Sequence, residues 1–474
     1  MAKKAGLLAG PLLFLLLQQG SLFALSSDAT LVVALAFWMV TWWITEAVSI
    51  SVTALLPLVV FPLSGIMSMN EVGANYGSSI VFLFFGGFVL ALALEKVNLH
   101  RRIALTIIHK TGTTPNRVIL GFMLATSFMS MWISNTASTV VMLPIALSVI
   151  QLLVQSDQKF TQAEQRFSLS VMLGIAFAAN AGGIATVIGT PPNSVLIGLL
   201  ENEYNIQISF LKWMLIGLPF SLVLISIIYL LFTRVLFSNK GIHFKTTEDV
   251  IAKQLKDLGP LSSQERHVLI IFFLMIFCWI FRSLINNMIP ALELSDTIIS
   301  IAGAIALFSI PSDFNKFHSV LEWKDTQKLA WGILILFGGG LALAKGMAQT
   351  GIVSAVTATI SQADFNIAIS VSLLISLMLF MTELMSNVAL VAVLAPVMAG
   401  IALGLDIPIL HLLIPVTMAS SCAFMLPMAT PPNAIVFASG YIKVSQMARA
   451  GILINLASIL LLVLLYYFAI PLVF

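Results

Sequence analysis

The sequence has few charged residues and almost no cysteine. Only 9% of its 474 residues are charged, whereas 59% are hydrophobic. Soluble domains carry about a quarter charged residues, so this composition excludes an ordinary soluble fold. The two cysteines, Cys278 and Cys422, lie in apolar runs and indicate neither a disulfide framework nor a metal site.

The signatures of common enzyme classes are also missing. The chain contains no HExxH, GxSxG or phosphate-loop pattern and no cluster of His and Cys residues. We therefore expect no enzymatic activity. The net charge of +3 is too small to indicate a nucleic-acid partner.

What the sequence does contain is a series of apolar runs of about 20 residues, the length of a membrane-spanning helix. A transmembrane β-barrel would instead show short segments of alternating hydrophobicity. The N-terminal run could pass for a signal peptide, but it lacks a convincing small-residue cleavage site, so we interpret it as the first span. We predict about 11 spans, at 7–25, 30–49, 51–63, 79–95, 168–198, 207–233, 267–289, 294–311, 329–346, 411–440 and 447–472.

Three polar or glycine-containing motifs occur twice. Ser134-Asn135-Thr136 is repeated as Ser386-Asn387-Val388, and the same offset of 252 residues relates the Phe-Gly-Gly segments at 85–87 and 337–339. A Thr-Pro-Pro-Asn motif occurs at 190–193 and 430–433, and a longer polar loop in the first half, 155–165, accounts for its smaller offset. These pairs indicate an internal duplication.

The two Ser-Asn motifs each interrupt an apolar segment. We predict two re-entrant helical hairpins, 118–133 with 137–154 and 366–384 with 388–404, each with a motif at its tip. The alternative is a pair of full spans joined by a short loop. The short first arm after Arg117 favours the hairpin.

The positive charges predict the orientation of the chain. With a cytoplasmic N-terminus, all but Lys212, Arg282 and Lys345 of the 23 lysines and arginines lie inside. The C-terminus is then external. The two Phe-Gly-Gly spans run in opposite directions in this topology, which makes the duplication an inverted repeat. The segment 234–266 is predicted to be a cytoplasmic linker.

Consecutive prolines remove two backbone donors, so we expect each predicted span that contains Thr-Pro-Pro-Asn to break there. Breaks at membrane depth in inverted repeats are typical of secondary transporters, where freed carbonyls bind cations and helix N-termini bind anions. The alternatives are a structural kink for the prolines and a helix N-cap for Ser-Asn-Thr. Glu46 and Glu383 could be proton relays or hydrogen-bonded structural groups.

These paired motifs, together with WWITEAVSISVTALLP at 42–57, resemble the divalent anion/sodium symporter family, the di- and tricarboxylate carriers. The resemblance covers almost the whole chain. It implies a homodimer in the cell membrane, in which a mobile transport domain carries the substrate across as an elevator. It divides the chain into scaffold helices (1–116 and 267–350), transport-domain hairpins with broken helices (117–233 and 351–474) and the linker.

The resemblance also implies the site residues, carried over by position. The implied Na+ ligands are Ser130, Ser134, Asn135, Gly189, Thr382, Met385, Asn387 and Ala429. The implied substrate-binding residues are Ser134, Asn135, Thr136, Thr190, Ser386, Asn387, Val388, Thr430 and Pro431. Val388 stands where the family pattern has threonine, so one hydroxyl is missing.

No Lys or Arg occurs in 118–158, 167–211 or 346–442, the intervals that hold every Ser-Asn and Thr-Pro-Pro-Asn motif. An anion bound there would need bound cations, and we therefore expect Na+ as the coupling ion. The predicted function is secondary transport of a C4-dicarboxylate such as succinate, malate or fumarate. The alternatives are Na+-independent dicarboxylate exchange, carriage of an inorganic divalent anion such as sulfate, and a channel.

Overall fold

The computed structural model describes residues 2–19, 25–112, 114–153, 161–237, 247–313, 318–362 and 366–474. The first half forms α1 (Ala2–Gln19), α2 (Ser27–Thr45), α3 (Ile50–Thr53), α4 (Leu56–Ser64), α5 (Met69–Tyr76), α6 (Ser79–Lys96), α7 (Leu99–Thr111), α8 (Pro115–Ser130), α9 (Asn135–Leu153), α10 (Gln162–Gly183), α11 (Pro191–Tyr204) and α12 (Phe210–Leu230). Parts of the predicted polar loop and of the predicted linker, 155–160 and 238–246, lie outside the described residues.

The second half forms α13 (Thr247–Asp257), α14 (Ser263–Met288), α15 (Asp296–Ser309), α16 (Trp331–Gln349), α17 (Ile352–Ser361), α18 (Ile367–Thr382), α19 (Asn387–Gly404), α20 (Ile409–Ser420), α21 (Pro431–Ala438), α22 (Val444–Leu464) and α23 (Ile470–Val473). Short 3-10 helices lie at Pro290–Leu292 and Trp323–Lys328, and π-helical turns follow α12 at Leu231–Leu236 and α22 at Leu465–Ala469. Two short strands, β1 (Pro311–Asp313) and β2 (His318–Ser319), pair antiparallel. The predicted all-helical class is confirmed apart from this small ladder.

Several helices have the length and hydropathy of membrane spans. Within the described ranges, seven helical segments are long and apolar enough to cross one, namely Ser27–Thr45, Met69–Lys96, Phe210–Leu236, Ser263–Met288, Trp331–Gln349, Asn387–Gly404 and Val444–Val473. Of the other predicted spans, 51–63, 168–198 and 411–440 are divided in the structure, the helix within 294–311 is shorter, and part of 7–25 lies outside the described residues. The total number of spans and the re-entrant path of the hairpins stay predictions.

The two halves contain the same succession of helices. The helices α6, α8 and α9 each begin 252 residues before α16, α18 and α19. The correspondence continues to α12 and α22, each of which ends in a π-helical turn. The duplication therefore extends well beyond the motifs that indicated it.

Two corresponding helices, one in each repeat, lie outside the predicted spans and hairpins. The helices α7 and α17 lie between the Phe-Gly-Gly helix and the hairpin in each half. Arg101, Arg102 and Lys110 make α7 too polar for a span, and α17 has only ten residues with several Ser and Thr. Both are amphipathic helices, and their main packing partners are α8 for α7 and α19 for α17.

Both predicted breaks are present. The segment 184–190 separates α10 from α11, and the segment 421–430 separates α20 from α21. In each half the two prolines occupy the first positions of the second helix. Because a helix start needs no N–H from these positions and proline already has a helical φ, the prolines begin α11 and α21.

The two halves interlock around these breaks. The helix α21 packs against α9 and α10, and α11 packs against α19 and α20. Each second half-helix thus contacts the hairpin of the other repeat. The following helices approach the unwound segments through glycine: a Cβ on Gly217 would lie 2.7 Å from the Ile184 carbonyl oxygen, and one on Gly451 would overlap the Phe424 carbonyl. The core that surrounds the motifs is built from both repeats.

Candidate functional site

Four helices begin at the four repeated motifs. The helix α9 begins at Asn135, α19 at Asn387, α11 at Pro191 and α21 at Pro431. Helix N-termini have unpaired N–H groups and a partial positive charge, which suit an anion. The prolines of α11 and α21 lack those N–H groups. The backbone donors for an anion must therefore come mainly from α9 and α19, at the tips of the hairpins.

The first cluster of oxygen atoms lies at the start of α9. The hydroxyl of Ser130, which is fully buried, contacts Oδ1 of Asn135 and lies 2.7 Å from the carbonyl oxygen of Ala179. A hydroxyl has one proton to donate, so it cannot satisfy two acceptors at once. The cluster therefore has an excess of oxygen lone pairs, which is the chemistry of a cation site.

Two glycines leave space beside this cluster. A Cβ on Gly183 would lie 2.4 Å from Asn135 Oδ1, and one on Gly189 would lie 2.5 Å from the carbonyl oxygen of Gly183 and 3.0 Å from that of Ser130. A larger residue at either position would occupy the space between these oxygen atoms. Backbone carbonyls of the unwound segment thus join the side-chain oxygens, as we expect at a broken helix.

The second cluster repeats this arrangement in the other half. The Thr382 hydroxyl, also fully buried, donates to Asn387 Oδ1 at 2.7 Å and contacts the carbonyl oxygen of Ser420. Thr382 and Asn387 are the counterparts of Ser130 and Asn135. The two clusters are built from the same parts, namely one hydroxyl, one amide oxygen and one carbonyl from the end of the broken helix.

Hard cations prefer oxygen ligands, so the donor set of both clusters fits Na+. No group of three or more His, Cys, Asp or Glu residues that could hold a metal occurs in the described part of the chain. Both cysteines are free thiols, and Cys422 is buried. The fit is to an alkali cation rather than to a transition metal.

The structure brings most of the predicted Na+ ligands together. Ser130, Asn135 and Gly189 meet in the first cluster, and Thr382 meets Asn387 in the second. Ser134 Oγ accepts the N–H of Ala137 at 3.2 Å, so it caps α9, as the N-cap alternative predicted. Its ligand role stays a prediction, as do those of Met385 and Ala429. Sequence reasoning missed the carbonyls of Ala179 and Ser420, because any residue supplies a carbonyl.

The predicted substrate-binding residues differ in exposure. The exposed ones are Ser134, Thr136 and Pro431, and those of intermediate exposure are Asn135, Ser386, Asn387 and Val388. Thr190 and Thr430 are buried, at 2% and 4%. Only the accessible residues, which lie at the starts of α9, α19 and α21, can meet a ligand without rearrangement.

The asparagines of the two Thr-Pro-Pro-Asn motifs hold the unwound segments. Asn193 Nδ2 donates to the Thr186 carbonyl at 2.8 Å. Asn433 Nδ2 donates to the carbonyls of Ala423 and Leu426, both at 3.1 Å. These buried amides satisfy carbonyls that lost their helical partners, which is a structural role.

One further asparagine joins the two repeats. Asn180 of α10, which is buried, donates to the Thr430 hydroxyl and to the Ala423 carbonyl, each at 3.1 Å. The sequence signal for it was weak, a single amide in an otherwise apolar run. Its partners lie about 250 residues away, so pattern reasoning could not find them.

The two candidate relay carboxylates lie in different environments. Glu46 is exposed at the end of α2 and pairs with Lys3 at 3.3 Å, a surface contact that stabilises little. Glu383 is buried and accepts the backbone N–H groups of residues 424–426. These contacts favour the structural interpretation of Glu383 over a proton relay.

Comparison with known proteins also indicates a sodium-coupled transporter. The family model described as "Sodium:sulfate symporter transmembrane region" matches residues 3–474. A protein of Staphylococcus saprophyticus named sodium-dependent dicarboxylate transporter SdcS is 40% identical, over 98% of this chain and 91% of its own. Its namesake in Staphylococcus aureus strain USA300 is 39% identical, over 99% and 91%.

Solved structures with the same fold include two transporters of other bacteria. The YdaH transporter of Alcanivorax borkumensis matches with a TM-score of 0.57 and 13% identity, over 88% of this chain and 90% of its own. MtrF of Neisseria gonorrhoeae matches with a TM-score of 0.57 and 13% identity, over 85% and 84%. At such identity the likeness concerns the fold alone.

Proposed function

This chain belongs to the sodium:sulfate symporter family, and on that premise we propose that it is a secondary transporter that moves a C4-dicarboxylate together with Na+. The named relatives at about 40% identity, which are sodium-dependent dicarboxylate transporters, support the substrate class and the coupling ion. Succinate, malate and fumarate are the substrates we expect. The family identity also places the chain among membrane transporters and not among enzymes.

The observation that carries the proposal is the pair of oxygen clusters at the starts of α9 and α19. In each cluster a buried hydroxyl faces two acceptor oxygens. In the first they are Asn135 Oδ1 and the Ala179 carbonyl, and in the second they are Asn387 Oδ1 and the Ser420 carbonyl. Na+ bound in these clusters would place positive charge beside the two hairpin tips. The same tips supply the N–H groups that an anion needs.

Asn135 and Asn387 connect the cation and the anion. The amide oxygen of each points into a cluster. The amide NH2 and the backbone N–H at the helix start are donors on the same residue. One residue can therefore hold the cation through oxygen and a carboxylate through nitrogen, so that each ligand favours the other.

The charge balance supports co-transport. A dicarboxylate brings two negative charges into intervals that contain no Lys or Arg. Two helix N-termini act as about half a charge each, which leaves a deficit that bound cations can offset. A buried anion without compensation would cost several kcal/mol.

We further propose that transport follows an elevator mechanism in a homodimer. The helices α8–α11 and α18–α21 pack on one another, and the amphipathic α7 and α17 link them to α6 and α16. These links are suited to act as arms between a fixed scaffold and a moving domain. In the cell membrane, we expect the N-terminus inside and the C-terminus outside.

The experiment is uptake of labelled succinate into proteoliposomes under an inward Na+ gradient, with unlabelled malate, fumarate, citrate and sulfate as competitors. We expect saturable uptake that C4-dicarboxylates inhibit and sulfate does not. Inhibition by sulfate alone would favour an inorganic anion carrier. Uptake that neither saturates nor shows counterflow would identify a channel.

A further inference from the structure

Glu383 is a buried carboxylate that the proposed function does not use. Oε1 accepts the N–H groups of Phe424 and Met425 at 2.8 and 2.9 Å, and Oε2 accepts that of Leu426 at 3.1 Å. The amide of Asn455 on α22 adds a fourth donor, 2.8 Å from Oε1. Glu383 is 3% exposed, so these donors replace water around its charge.

The first repeat has no such group. The 252-residue offset aligns Glu383 with Met131, whose side chain has no charge. There the unwound segment is held by a hydroxyl, because Thr186 Oγ1 donates to the Met131 carbonyl at 2.6 Å. Two segments that correspond in the chain are thus held by different chemistry, a carboxylate in one half and a neutral hydrogen bond in the other.

Glu383 lies near the second oxygen cluster on both chain segments that form the cluster, the end of α18 and the end of α20. Glu383 directly follows Thr382, whose hydroxyl belongs to the cluster. The N–H groups that it binds begin four residues after Ser420, whose carbonyl belongs to the cluster. Because these three N–H groups bond to its carboxylate, Glu383 fixes the path of the unwound segment that follows Ser420.

We propose that Glu383 is a positioning residue that makes the second oxygen cluster bind Na+ more tightly than the first. A negative charge close to a cation site in a low-dielectric interior favours the cation, and the first cluster lacks that charge. The inference rests on the proposed function, since it assumes that both clusters bind Na+. It adds that the two sites fill at different Na+ concentrations.

The test is Na+-dependent thermal stabilisation of the purified full-length protein in detergent, with KCl replacing NaCl at constant ionic strength. Glu383→Gln keeps the size and removes the charge, and we expect it to raise the Na+ concentration for half-maximal stabilisation about tenfold. Glu383→Asp keeps the charge, so its midpoint should lie closer to that of the wild type.

Combination with cluster variants separates the two sites. Thr382→Val removes the hydroxyl of the second cluster, and Ser130→Ala removes that of the first. Glu383→Gln should add no further shift to Thr382→Val but should add its full shift to Ser130→Ala. A Glu383→Gln protein that melts earlier in KCl yet keeps the wild-type Na+ midpoint would reduce the residue to a structural role.

The cluster variants also serve if Glu383→Gln does not fold. We then expect Ser130→Ala to retain the tighter Na+ response and Thr382→Val to retain only the weaker one. Equal midpoints in the two variants would overturn the inference. If the wild type shows no Na+-specific stabilisation at all, the proposed Na+ coupling fails, which is a separate result.

Discussion

Asn180 donates its side-chain amide to the Thr430 hydroxyl 3.1 Å away, and this bond joins the broken helix of one repeat to that of the other. The same amide lies 3.1 Å from the Ala423 carbonyl in the unwound segment of the second repeat. Neither residue is near the other in the chain. The two halves of the site are therefore held in register by a buried polar contact as well as by apolar packing.

Replacing Asn180 by Ala should loosen this junction. The change leaves the Ala423 carbonyl without one of its buried donors, and we expect the free energy of unfolding to fall by about 1–3 kcal/mol. Uptake per folded protein should fall as well. Asn75→Ala is the control, because the Asn75 amide is also buried but bonds only to its own helix. Equal uptake by both variants would contradict a role for Asn180 in the site.

Asn135→Ala and Asn387→Ala should each abolish transport in a folded protein. Each change removes the amide oxygen of a cluster and the NH2 donors at a hairpin tip. A loss of about 3 kcal/mol would reduce uptake to below about 1% of the wild type. Ser226→Ala is the control, since its exposed hydroxyl bonds only to the Leu222 carbonyl of its own helix. Near-normal uptake by Asn135→Ala would remove that residue from the site.

Gly183→Ala should close the first cluster. The added Cβ would lie 2.4 Å from Asn135 Oδ1, too close for both atoms to keep their positions. We expect a loss of uptake of about tenfold or more, together with a higher Na+ requirement. Gly174→Ala in the same helix is the matched control, because its Cβ would meet only the Met123 side chain, at 3.1 Å. If both variants transport equally well, the cluster does not bind the coupling ion.

Val388→Thr should alter substrate affinity or preference. The residue is of intermediate exposure at the start of α19, and a hydroxyl there could add one hydrogen bond with a net contribution of about 0.5–1.5 kcal/mol. The apparent affinity for succinate should change by up to about tenfold. An unchanged affinity and an unchanged order of competitors would indicate that Val388 only packs.

The repeated motifs predicted more of this protein than its composition did. Pro191-Pro192 and Pro431-Pro432 predicted both helix breaks correctly, because proline lacks the N–H that a continuous helix needs. The Ser-Asn motifs lie at the starts of α9 and α19, where the Ser134 side chain caps α9 but the Ser386 side chain makes no cap hydrogen bond. Local chemistry was enough at these positions.

Other parts depended on tertiary contacts. The carbonyls of Ala179 and Ser420 join the clusters through the backbone, which carries no signal in the residue type. The carboxylate of Glu383 allowed a relay and a structural role equally until its backbone donors were known. The helix α17 was missed because its ten residues, although apolar, are too few to cross a membrane.

The central claim is that inward movement of the dicarboxylate requires Na+. The most direct measurement is succinate uptake into proteoliposomes with external Na+ replaced by choline, in empty vesicles and in vesicles preloaded with succinate. We expect uptake in Na+ and almost none in choline when the vesicles are empty. Uptake in choline only after preloading would point to an exchanger, and full uptake in choline into empty vesicles would contradict Na+ coupling.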